Sequence, residues 1–88
     1  MRPPNLLKEA YLLEAQINYT NIYFADGSKE ISPYTLKKFE QQLASNPSFI
    51  RIHRSFLVNK NFIREIKHLN VVLISGAILP LARRRRKI

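Results

Sequence analysis

Apolar residues recur along this chain in short clusters, each cut off by polar or turn-forming residues. Tyr11 to Gln16 and Asn21 to Ala25 are rich in aromatic and branched side chains, and the polar piece Ile17 to Thr20 separates them. Asp26-Gly27 closes the second run and leads into the alternating Lys29-Glu30-Ile31. Both turn residues reach positive φ at low cost, so the expected order is strand, loop, strand and tight hairpin. The period then changes. Leu36, Phe39 and Leu43 fall at helical spacing, with Ser32 placed to cap the first free N–H groups and Pro33 where a missing N–H costs nothing. Asn46-Pro47 ends that helix. Its core face is Leu36, Phe39 and Leu43, and Lys37, Lys38, Glu40 and Gln41 form the solvated face.

Beyond Pro47 the period returns to two. Ile50 and Ile52 point one way, while Arg51 and His53 point the other. Phe62, Ile63 and Ile66 make a further short apolar element, and Val71 to Ile74 pairs with Ala77 to Leu81 across Ser75-Gly76. One helix and about six short strands are expected, a mainly β fold with one α-helix. The pieces IYFADGSKEIS and VVLISGAILPL both read as strand, Gly turn, strand, a likeness too loose to be a repeat.

Length and composition narrow the class. A chain of 88 residues is one domain, and its 45% hydrophobic content argues for a folded core. Without cysteine there is neither a disulfide framework nor a cysteine zinc site. Pro3, Pro4, Lys8, Glu9 and Glu14 interrupt the apolar letters after Met1, so no secretory signal forms and a cytoplasmic location is the default expectation. Leu69 to Ala82 is uncharged and precedes Arg83 to Lys87, but it is shorter than the ~20 residues of a membrane span and is broken by Asn70, Ser75-Gly76 and Pro80.

Charge separates the two halves. Residues 1–44 hold five Lys/Arg and five Asp/Glu, whereas residues 45–88 hold ten Lys/Arg and the single acid Glu65. The formal charge of +9 therefore lies in the second half, a field that attracts polyanions such as nucleic acids and anionic lipid surfaces. The densest stretch is Phe49 to Lys60, FIRIHRSFLVNK, where three cations, a His and an Asn stand among apolar residues.

Catalysis finds little support. His53, Ser55 and Glu65 could be written as a triad, or His53 and His68 as an acid and base pair, yet neither has a sequence signature. Gly27 and Gly76 are the only glycines, which excludes a glycine-rich phosphate loop, and the two histidines lack a metal-ligand spacing. Neither an enzyme nor a cofactor or metal is expected. Nucleic-acid binding fits better, because Lys and Arg neutralise phosphates while Arg and Asn can read base edges. Arg51, His53, Arg54 and Asn59 lie within nine positions, and Arg83 to Lys87 follow the last strand. Each has a plainer reading: solvated cations for Arg51 and Arg54, a structural His53, a turn-forming Asn59, and a solubilising or localisation tail at 83–87. The helix, with adjacent Lys37 and Lys38 and no Arg, is a poor recognition helix.

These residues resemble the LytTR DNA-binding domain of bacterial transcription and response regulators. The match runs from about Ala10 to the C-terminus, leaving residues 1–9 as an N-terminal extension to a domain at 10–88. Its parts stand in the family's order: LLEAQINYTNIYFADG, a helix with LKKFEQQL, FIRIHRSFLVN, NFIREIK, a hairpin and LPLARRRR. The most specific is the string Phe49, Arg51, His53, Ser55, Phe56, Val58 and Asn59. The resemblance implies an elongated fold of antiparallel β-sheets whose loops enter successive major grooves and bend the DNA. It makes Asn18 or Tyr19, Arg54 and Arg83 the base-contact candidates, and Arg51, His53, Lys60, Arg84 and Arg86 the phosphate-contact candidates. Phe49, Ile52 and Phe56 to Val58 are then structural, and Asn59 fixes a turn. Some relatives carry a basic or imidazole side chain where this chain has Asn18-Tyr19, and many carry a receiver domain for which 88 residues leave no room.

The leading expectation is a sequence-specific regulator of transcription that binds double-stranded DNA at paired repeat sites, as two copies or as a homodimer on DNA. An RNA-binding or ribosome-associated module is the alternative, and a membrane-surface protein the third reading. Single-strand RNA readers stack bases on exposed aromatic pairs, and here alternation sends Tyr23 and Phe24 to opposite faces.

Overall fold

Period-two alternation and frequent turn residues produce eight short antiparallel strands and one helix in the computed structural model, which describes residues 10–85. The strands are β1 (Ala10–Ala15), β2 (Thr20–Phe24), β3 (Lys29–Ser32), β4 (Phe49–His53), β5 (Phe56–Asn59), β6 (Ile63–Lys67), β7 (Asn70–Leu73) and β8 (Ile78–Pro80). Helix α1 spans Leu36–Gln42. Strands β3-β2-β1-β5-β4 form a five-stranded sheet in that order, and β6-β7-β8 form a three-stranded one. The described residues measure 35 × 25 × 25 Å, longer in one direction as expected.

The larger sheet is buried on both faces, and alternation assigns each side chain to one of them. Leu13 pairs with Ile22 and with Leu57, and these three join Phe24, Phe49, Leu36, Phe39 and Leu43 beneath α1. Leu12 pairs with Val58, and both face the smaller sheet with Ile52, Val71, Leu73, Leu79 and Leu81. Each of these buried aliphatic or aromatic side chains contributes about 1.5–3 kcal/mol by leaving water. Tyr23 and Phe24 do lie on opposite faces: Phe24 is buried under the helix, and half-buried Tyr23 packs on the other side.

Two glycines make the hairpins. Gly27 at φ 90 donates its N–H to the Phe24 carbonyl at 3.0 Å, and Gly76 at φ 94 does the same to Leu73 at 2.9 Å. Asp26 accepts from the Ser28 N–H at 2.8 Å and so completes the first turn with its own side chain.

Three sequence expectations need correction. The helix cap is Thr35, which accepts the Lys38 N–H at 3.2 Å, and not Ser32. Ser32 instead ends β3 opposite Thr20, is fully buried, and accepts the Tyr34 N–H at 3.2 Å. Strand pairing therefore claims a residue whose type equally suits a cap. Glu40, read as part of the solvated helix face, is half-buried and meets Arg51 at 2.7 Å. The strand count rises from about six to eight, chiefly because Phe49 to Asn59 is a hairpin whose strands β4 and β5 are split by Arg54-Ser55.

Candidate nucleic-acid interface

Strand direction decides which turns share an end of the molecule. β1 runs toward the 16–19 loop, β4 runs toward the Arg54-Ser55 turn, and β5 returns beside β1, with Glu14 opposite Phe56. Both turns thus emerge together. The Ala15 N–H donates to the Ser55 carbonyl at 2.8 Å and ties one to the other. Within its own loop, Gln16 donates to the Tyr19 carbonyl at 2.8 Å, leaving Asn18 and Tyr19 exposed beside Ile17, which is 97% exposed.

The Arg54 turn is held from within. His53 turns its ring back so that Nδ1 accepts the Ser55 N–H at 3.1 Å, and the ring lies 5.8 Å from that of Phe56. That acceptor role puts the proton of a neutral His53 on Nε2. Arg51 donates through Nε to the His53 carbonyl at 2.9 Å, through Nη2 to the Arg54 carbonyl at 2.6 Å and through Nη1 to Glu40 at 2.7 Å. Its side chain is 13% exposed, whereas Arg54 stands in solvent. Arg54 and Arg51 line a cleft of about 450 Å³ together with the 16–19 loop and Thr35, Leu36 and Lys37 at the start of α1. Asn18, Tyr19 and Arg54, far apart in sequence, share this one cleft.

The third segment arrives along a sheet edge. After β8, Leu81 donates to the Leu69 carbonyl at 2.9 Å and Ala82 to the Ile52 carbonyl at 2.8 Å, which seats the following residues against β4. Arg83–Arg85 then form a single 3-10 turn, with Arg83 and Arg84 exposed. Half-buried Arg85 reaches the Arg51 carbonyl at 3.5 Å. Arg83 and Arg84 therefore flank the Arg54 end of β4, while Arg86 lies outside the described residues.

Not every candidate comes to this end. Lys60 is exposed but follows β5 at the opposite end of the sheet, where its N–H donates to the Ser48 carbonyl at 2.7 Å. Six positions of extended chain separate it from Arg54, on the order of 20 Å. Asn59 is the turn residue expected, accepting the Asn61 N–H at 3.0 Å at the head of the 3-10 turn Lys60–Phe62. Thr35 was not singled out in the sequence, and Lys37 was read only as part of the solvated face of a poor recognition helix; the only signal for them here is their place at the start of a helix that packs on this sheet.

One acid on β1 is also engaged internally. Glu14 accepts from Asn21 Nδ2 at 3.2 Å and from the Tyr23 hydroxyl at 3.1 Å. Burial, and next the Glu14 carboxylate, raise the Tyr23 hydroxyl above its ordinary pKa. With Glu40 paired to Arg51, the exposed charge of Arg54, Arg83 and Arg84 is left to act on an anion. Among the described residues no helix is long and apolar enough to cross a membrane.

No curated protein sequence matches the chain significantly. A solved LytTr DNA-binding domain from a methyl-accepting/DNA response regulator of Bacillus cereus is similar at 30% identity and a TM-score of 0.76, over 90% of this chain and 75% of that one. The family model of the LytTr DNA-binding domain matches residues 5–88. With a family match over nearly its whole length and the same fold in a solved member, this chain belongs to the LytTR family of DNA-binding domains.

Proposed function

We propose that this domain regulates transcription in the bacterial cytoplasm by reading double-stranded DNA with turns rather than with its helix. The observation that carries the reading is the convergence of the 16–19 loop, the Arg54 turn and the Arg83–Arg85 turn on one end of the five-stranded sheet. Arg54 and Arg83 suit guanine, to which an arginine fork donates two parallel hydrogen bonds, and Asn18 or Tyr19 completes the base contacts. His53, through Nε2–H, and Arg84 hold phosphates beside them, and Arg86 extends that set. Two turns on one edge and a loop beside them enter successive major grooves. Lys60, on the order of 20 Å away along the strand direction, meets a phosphate only on DNA that curves along the sheet, so its role and DNA bending stand together.

Two copies are expected on each regulatory region, one per repeat. Selecting bound duplexes from a random pool tests the whole reading. Recovery of paired repeats about one helical turn apart is the expected result. Tighter and more salt-resistant binding to single-stranded RNA, or to anionic vesicles, than to any selected duplex would overturn it.

A further inference from the structure

We infer that Arg51, braced by Glu40 of α1, is a positioning residue that sets the pose of Arg54 and so couples the helix to base recognition. This rests on Arg54 being a base reader. Arg51 belongs to the conspicuous basic stretch and, read as sequence, invites assignment as a phosphate contact. Its guanidinium is turned inward instead, with Nε, Nη1 and Nη2 each donating inside the protein at 2.9, 2.7 and 2.6 Å.

What those bonds hold is specific. The His53 carbonyl lies in the peptide plane before the Arg54 Cα, and the Arg54 carbonyl lies in the plane after it. Peptide units are rigid planes, so fixing both fixes φ and ψ of Arg54 and hence the direction in which its side chain leaves the backbone. His53 Nδ1 reinforces the second plane by accepting the Ser55 N–H at 3.1 Å. The guanidinium reaches two carbonyls and a carboxylate from three nitrogens held in one rigid plane; a lysine ammonium gathers its donors on a single nitrogen at the end of a flexible stem. Glu40 supplies the third anchor, and the backbone carbonyl of Arg51 itself receives Arg85 at 3.5 Å. One residue thus yokes the Arg54 turn, the Arg83–Arg85 turn and α1.

Pre-organisation of this kind strengthens a specific contact without altering diffuse attraction, because it removes the ordering cost of one side chain in one pose. Arg51→Lys keeps the charge and loses the fork. On a duplex recovered by selection it is expected to weaken binding about 10-fold, with binding to a random duplex changed less than about 2-fold. In the Arg51→Lys background Arg54→Ala is expected to cost less than about 3-fold, against roughly 5- to 150-fold in the parent, the non-additivity of residues acting as a unit. Glu40→Gln, which keeps the helix and removes only the carboxylate charge, is expected to lower selectivity about 3-fold and serves should Arg51→Lys not fold.

Proportional losses on selected and random duplexes for Arg51→Lys, or a cycle with Arg54→Ala that is simply additive, would overturn the positioning role. The base-reading role fails separately, and the inference with it, if Arg54→Ala leaves the preference for the selected duplex intact. Loss of preference in Arg54→Ala with none in either Arg51→Lys or Glu40→Gln defeats the positioning role alone.

Discussion

The two glycine hairpins and the turns at the Arg54 end of the five-stranded sheet are built by opposite means. The Gly27 turn of that sheet and the Gly76 turn of the three-stranded sheet are each a local event: a glycine at positive φ and one or two short hydrogen bonds within the hairpin. At the Arg54 end the turns hold their shape through distant partners: Ala15 with Ser55, Arg51 with Glu40, and Ala82 with Ile52. Local turns fold with their strands and leave their side chains with little to do. Turns tied together across the fold present a surface whose parts come from all along the chain.

Changes at the two kinds of turn should therefore separate binding from stability. Arg54→Ala is expected to lose about 1–3 kcal/mol of binding on a selected duplex and to relax the preference at one base pair. Its thermal midpoint should stay near that of the parent, since the side chain stands in solvent. Titration against selected and random duplexes measures both, and equal losses on the two would remove Arg54 from the readers. In the glycine hairpins, Gly27→Ala or Gly76→Ala should cost about 1–2 kcal/mol of stability through a Cβ forced to positive φ. Neither glycine has an atom within 4 Å of that Cβ, so strain alone is measured, and DNA affinity of the folded protein should not move. Denaturant unfolding beside a binding titration checks the pair.

Lys60→Ala sharpens the contrast further. On a long duplex the slope of log affinity against log salt should fall by about one, whereas on a short duplex that cannot curve it should not change. An equal change on both would disconnect Lys60 from bending. The smallest effect is expected at His68, which holds φ 56 in the exposed turn between β6 and β7. His68→Gly should relieve that backbone and leave stability the same or higher by up to about 1 kcal/mol, with binding untouched.

Local chemistry was legible in the sequence, and long-range pairing was not. Asp26-Gly27 and Ser75-Gly76 announced their hairpins because positive φ is a property of residue type. Leu36, Phe39 and Leu43 announced the buried face of α1, with exposures of 4%, 0% and 8%. Ser32 misled because it and Thr35 are equally good caps, and only the register of β3 against β2 decides between them. The Arg54 turn was hidden inside a string that alternates like one strand. Arg51 and Glu40, eleven positions apart, carry no mark that they meet; two charges on two elements are compatible with solvent at both sites. The motif resemblance named Arg54 and Arg83, but it could not distinguish an arginine that faces outward from one that faces the backbone.

The seat of the last 3-10 turn has a bearing on solubility. β4 is an outer strand of its sheet, and such a strand offers unpaired N–H and C=O groups to any other chain. The Ala82 N–H occupies the Ile52 carbonyl and Arg85 approaches that of Arg51, so the segment that carries the arginines also caps part of this margin. A version cut after Leu81 would forfeit Arg83 and at the same time bare a template for intermolecular strand pairing. On the proposed reading, recognition and resistance to aggregation are, along that margin, properties of the same few residues.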